Sequence, residues 1–178
     1  MNVLLIGSRG CGKSTLGRLA SQILDRTFVD LDDRVLACFE ESSVIDIWAT
    51  HGEAAWRLAE QETLEIALKT DDQIIALGGG VPMIDAARRR MEDARQSGEV
   101  AIVYLRCPID ELQQRLRQET GDRPGLLGDD PVAEIEAVLA AREPTYRTLA
   151  DHVLDMGGQT IEESTDSLVD WIRAQLKP

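Results

Sequence analysis

The chain has 178 residues, 43% of them hydrophobic and 29% charged, with a formal net charge of −13. That length gives one domain with a sizeable core. The acidity speaks against a broad phosphate-binding surface, so neither nucleic acid nor an anionic membrane is an expected partner. No apolar run approaches the ~18 residues of a membrane span. The opening stretch MNVLLIGSRG carries no basic leader-like region, so no signal peptide is expected. Cys11, Cys38 and Cys107 fit no zinc or disulfide spacing, which points to a reducing cytoplasm.

In chain order, a short apolar run predicts a strand over Val3–Ile6, and a period of about 3.6 predicts a helix over Lys13–Leu24. A strand over Thr27–Val29 follows, then helices over Ser43–Thr50 and Gly52–Lys69. Further strands are predicted at Gln73–Leu77, Val100–Leu105 and His152–Asp155. Helices are predicted at Met83–Ser97, Ile109–Arg117, Pro131–Ala150 and Thr160–Leu176. Several strands are apolar without alternation, as expected when helices cover both faces of a parallel sheet. Alternating strands and helices of this size predict a doubly wound α/β domain, three layers deep. The segment 118–130, QETGDRPGLLGDD, is rich in glycine and proline and is the candidate mobile loop.

The first strand runs into IGSRGCGKSTLG, residues 6–17, which completes G-x-x-x-x-G-K-[ST]. Glycines allow successive N–H groups to point inward as an anion nest, and the helix that follows adds its partial positive charge. Lys13 is placed to reach the β- and γ-phosphates of a nucleotide, and Ser14 to ligate Mg²⁺. Gly17 leaves room where that helix crosses the sheet. The second strand leads into TFVDLDD, which puts Asp30 and Asp32 at the carboxyl edge of the sheet, where such folds bind ligands. A period of two aims both to one side, while Asp33 suits a helix N-cap or first turn. The third strand ends in LGGG without an aspartate, so Asp30 is the best substitute for a metal-side carboxylate. On the helix that contains HGEAAWRLAEQE, Glu53, Trp56, Arg57 and Glu60 are neighbours. Pattern alone favours an ion pair for Arg57, with carboxylate binding as the alternative.

Taken together, GSRGCGKST, VDLDD, IWATHGEAAWR…E, LGGGV, the loop RP and AAREPTY resemble the shikimate kinases over nearly the whole chain. The resemblance implies a five-stranded parallel sheet of order 2-3-1-4-5 and transfer of the ATP γ-phosphate to the 3-hydroxyl of shikimate, in aromatic amino acid biosynthesis. It implies that Gly10, Cys11, Gly12, Lys13, Ser14 and Thr15 hold the ATP phosphates, with Ser14 and Asp30 on the Mg²⁺ side. Asp32 is implied as base and shikimate ligand. Arg57, Gly78, Gly79, Gly80 and Arg142 are implied to bind shikimate, the two arginines on its carboxylate. Arg123 is implied on a lid over the phosphates, and Arg117 is the candidate to pack against the adenine. The substrate region is expected at about 31–62, the lid at about 118–130, and the protein as a cytoplasmic monomer. The chain departs from the family in Trp48 and Trp56, where phenylalanine is usual, in the missing glycine of VLACFEESS, and in Gly125 within RPGLL. Two other readings stand beside this one: another small-molecule kinase of the fold, such as a gluconate kinase, and a non-catalytic nucleotide-binding relative.

Overall fold

A computed structural model describes residues 1–118 and 131–175, the side chain of Pro131 excepted. The expected lid, with Arg123 and Gly125, lies outside the described residues except for Gln118, as does the last residue of the C-terminal helix predicted to Leu176. Five parallel strands form one sheet, β1 (Asn2–Ile6), β2 (Thr27–Asp30), β3 (Gln73–Ala76), β4 (Val100–Arg106) and β5 (His152–Asp155), in the order β2-β3-β1-β4-β5. β1 is central. Val3 pairs with Ile74 of β3 and Ala101 of β4. All five residues of β1 are buried. Side chains alternate between faces along a strand, so complete burial means that both faces are covered. The predicted three-layer α/β architecture is the one observed.

The helices are α1 (Lys13–Leu24), α2 (Leu31–Leu36), α3 (Val44–His51), α4 (Glu53–Ala67), α5 (Asp85–Gln96), α6 (Ile109–Gln118), α7 (Pro131–Leu149) and α8 (Ile161–Gln175), with a 3₁₀ turn at Val81–Met83. The sequence reading matches α1 at both ends and the other long elements to within one or two residues. It lacks α2. That helix is only six residues long, too short to show a period, and Asp30 starts it by capping its first turn. α1 packs against α8 and crosses β3. Gly17 is where it comes closest: a Cβ there would lie 2.6 Å from Phe28 Cε2 and 3.0 Å from Leu5 Cδ1.

This topology decides where the site falls. The chain leaves β1 toward β2 and β3 on one side, and reaches β4 and β5 on the other. The carboxyl ends of strands on either side of such a reversal leave a crevice uncovered by crossover helices. The loop after β1, the β2–α2 turn and the glycines after β3 all open into it.

Candidate active site

The loop after β1 is built by its glycines. Gly7, Gly10 and Gly12 have φ of 142°, 76° and 99°, values that side-chain-bearing residues rarely adopt. A Cβ on Gly7 would also stand 2.7 Å from the Leu105 carbonyl oxygen of β4. Buried Lys13 folds back over the loop and donates from Nζ to the carbonyls of Gly7 (2.9 Å) and Ser8 (2.8 Å). It also donates to Cys11 Sγ at 3.6 Å, and Cys11 is fully buried. Ser14 Oγ donates to Asp30 Oδ2 at 2.5 Å. Asp30 Oδ1 accepts from the Asp32 backbone N–H at 3.1 Å. Asp30 thus ties the phosphate loop to α2 with both carboxylate oxygens. Asp32 lies in the first turn of α2, not on the strand, so a helix cap rather than the period of two places it beside Asp30. Asp33 shares that turn and is exposed.

Two clefts open on this framework. One is lined by Gly10, Gly12, Lys13, Ser14 and Thr15 together with Asp30 and Arg115. Cys11 is not among its lining residues, in keeping with its burial. Arg117 is exposed and also absent from that lining. Arg115 faces the loop instead, donating from Nη1 to the Gly10 carbonyl (3.3 Å) and from Nη2 to Glu111 Oε2 (3.1 Å). Two residues along a helix is a turn of about 200°, so only one of these arginines can face the cleft.

The second cleft brings together every substrate-side residue named from the sequence: Asp32, Arg57, Gly78, Gly79, Gly80 and Arg142. Arg57 of α4 donates from Nη1 to Glu60 Oε2 (2.7 Å) and from Nη2 to Glu53 Oε1 (2.9 Å), with its Cζ 5.7 Å from the centre of the Trp48 ring. The ion pair expected from pattern and the place in a cleft are therefore both real. The pair is not a surface one, since Glu60 is only 1% exposed. Burial pushes the Glu60 carboxyl above its ordinary value, Arg57 pulls it back, and the neighbouring Asp32 charge pushes it up again. Burial also works against the Arg57 charge, but Glu60 and Glu53 outweigh it and keep the guanidinium firmly protonated.

The three glycines after β3 are small because these side chains fill the space. A Cβ on Gly78 would stand 2.6 Å from Asp32 Oδ1 and 2.8 Å from Glu60 Oε1, and one on Gly80 would strike the Arg57 guanidinium. Asp32 and Glu60 thus converge over Gly78. The Gly79 carbonyl accepts from Tyr146 Oη at 2.7 Å. Tyr146 lies one turn after Arg142 on α7 and is fully buried. Burial raises its hydroxyl pKa to about 12, with the Arg142 charge working the other way, so it remains a donor at neutral pH. Tyr146 and Arg115 carry no expectation from the sequence, and Glu60 only that of an ion-pair partner for Arg57. The spacing of Glu60 from Arg57 and of Tyr146 from Arg142 was visible there, but not what either would meet.

A glycine-built anion nest, a lysine and a serine–aspartate pair on one side, and a cleft with two arginines on the other, define a P-loop kinase acting on a small acid. The shikimate kinase family model matches residues 9–173. Shikimate kinase 2 of Sodalis glossinidius (strain morsitans) is 36% identical over 99% of this chain and 96% of that protein. Shikimate kinase of Salinibacter ruber is 35% identical over 100% of this chain and 87% of that protein. Among solved structures, shikimate kinase from Acinetobacter baumannii in complex with shikimate superposes with a TM-score of 0.86 at 25% identity, over 99% of this chain and 95% of that one. The chain belongs to the shikimate kinase family and is an ATP-dependent phosphotransferase. No helix among the described residues is long and apolar enough to cross a membrane.

Proposed function

We propose that this enzyme transfers the γ-phosphoryl group of ATP to the 3-hydroxyl of shikimate, giving shikimate 3-phosphate and ADP, in aromatic amino acid biosynthesis. The observation that carries the reading is the second cleft, where Arg57 and Arg142 come from different helices to line one space with Asp32. Two guanidinium groups suit the substrate carboxylate, each through charge-assisted hydrogen bonds. Asp32, at the edge of both clefts, takes the proton of the attacking hydroxyl. Lys13 leaves the Gly7 and Ser8 carbonyls to reach the β- and γ-phosphates. Glycines 78–80 line the same cleft and leave room for Asp32, Glu60 and Arg57 to converge there.

Ser14 Oγ and Asp30 Oδ2, 2.5 Å apart at the loop–helix junction, are a pair of hard oxygen donors and fit Mg²⁺. No group of three or more metal-ligating side chains occurs among the described residues. An ion there would be held by one or two protein oxygens plus phosphates and water, and would neutralise phosphate charge. Arg123 is proposed to reach the phosphates from 118–130. We propose that the enzyme acts as a monomer.

The test is ADP release with shikimate, quinate and gluconate as alternative acceptors. Turnover on shikimate well above the other two is expected. Preference for gluconate favours a related sugar-acid kinase, and ATP binding without turnover on any acceptor favours a non-catalytic relative.

A further inference from the structure

Among the described residues, only two line both clefts: Asp32 and Arg9. Arg9 occupies a variable position of G-x-x-x-x-G-K-[ST], so the motif itself makes no demand for a cation there. Its backbone nitrogen lies 3.5 Å from where a Cβ on Gly79 would stand, and the Gly7 carbonyl 3.2 Å from the same point. The phosphate loop is therefore pressed against the glycine turn of the acceptor cleft at Arg9, and the half-buried Arg9 sits on the boundary.

Resting on the reading above, we infer that Arg9 is a further catalytic residue, whose guanidinium contacts the phosphoryl group as it crosses from the nucleotide cleft to the acceptor cleft. In that step the bond from the γ-phosphorus to the bridging oxygen breaks, its electron pair leaving on ADP. The bond to the acceptor oxygen forms, and the acceptor proton passes to Asp32. The transferred group carries its negative charge on three equatorial oxygens, midway between the two clefts. Lys13 lines only the nucleotide cleft and approaches the transferred group from that side, whereas Arg57 lines only the acceptor cleft. Among the described residues, Arg9 is the cation shared by both spaces, and its planar fork matches two phosphoryl oxygens. After transfer, the same contact falls on the phosphate of the product rather than on the acid itself.

The experiment compares the parent enzyme with Arg9→Met and Arg9→Lys in steady-state turnover. Loss of one preorganised donor predicts a kcat for Arg9→Met lower by about 100-fold, with both KM values within about threefold of the parent. Arg9→Lys should recover at least about tenfold of the lost rate, because the charge returns without the fork. Tryptophan fluorescence, reported by Trp48 and Trp56 in the cleft, reads ligand affinity. Arg9→Met should bind shikimate 3-phosphate at least about tenfold more weakly, the loss of one charge-assisted contact, while shikimate binding is unchanged. Near-parental kcat in Arg9→Met overturns the inference. So does an equal loss of affinity for shikimate and its phosphate, or a common fall in thermal midpoint for both variants with no recovery by lysine. A parent that fails to phosphorylate shikimate sinks the proposed function and this inference with it. An active parent with a normal Arg9→Met sinks the inference alone.

Discussion

Replacing Gly80 by alanine should separate substrate binding from folding. Gly80 has φ −87° and ψ −21°, an ordinary right-handed conformation that alanine adopts without strain. What forbids a side chain is Arg57. The new Cβ would overlap Nη1 and lie 2.9 Å from Cζ and 3.2 Å from Nη2. Ordinary contact begins near 3.5 Å, so Nη1 must retreat by about 1 Å. Any retreat works against the guanidinium's bonds, since Nη1 is bound to Glu60 at 2.7 Å and Nη2 to Glu53 at 2.9 Å. The retreat breaks or tilts one charge-assisted bond and misaligns the fork offered to the substrate carboxylate. Such a contact contributes ~1.5–3 kcal/mol, which corresponds to a rise of about 10- to 150-fold in the shikimate KM. The obstacle is the far end of a flexible side chain, so the cost to folding should stay at the low end of the ~1–3 kcal/mol typical of overpacking. Kinetics with each substrate varied in turn, together with thermal unfolding, provide the assay. A shikimate KM within about twofold of the parent would refute the reasoning, since it would mean that the Arg57 position does not set affinity. An equal rise in the ATP KM would place the damage in the phosphate loop instead.

Lys13→Met should cost ~3–4 kcal/mol of barrier, a drop of several hundred-fold in kcat, by removing a preorganised cation from the phosphates; retention of a tenth of the parental rate would exclude that role. Asp32→Asn should lower kcat strongly and weaken shikimate binding, because the amide fills the space but cannot accept the hydroxyl proton; a near-normal kcat would move the base to Asp30. His152 stacks on Trp171 with ring centres 5.2 Å apart, and burial holds its pKa below the ordinary 6.5. The unfolded chain therefore takes up this proton first on acidification, so the contribution of His152 to stability is present above pH 6.5 and lost as pH falls below it. His152→Gln should flatten the fall in thermal midpoint between pH 7 and pH 5, and an unchanged slope in the variant would count against burial as the cause.

Strand periodicity, the glycine–lysine–serine spacing after the first strand and the ends of α1 are local properties, and the sequence determined them unaided. The absence of a side chain at Gly17 is visible in the sequence, but the need for it comes from Phe28 and Leu5, which belong to strands that the helix crosses. The tertiary structure decided which charges meet. Asp32 comes to both clefts because Asp30, tied to Ser14 sixteen residues earlier, caps the helix that carries it. Arg57 has two glutamates within one turn, but only folding buries Glu60 and sets the Gly80 backbone against the guanidinium. Whether Arg115 or Arg117 faces the phosphate loop depends on how α6 is rotated about its axis, which its packing on α7 and the loop fixes. Glycines 78–80 announce that something must come close, since a missing Cβ is legible in one dimension. What fills the vacated space comes from α2, α4 and α7, and only the sheet order and its crossovers bring those helices to the same edge.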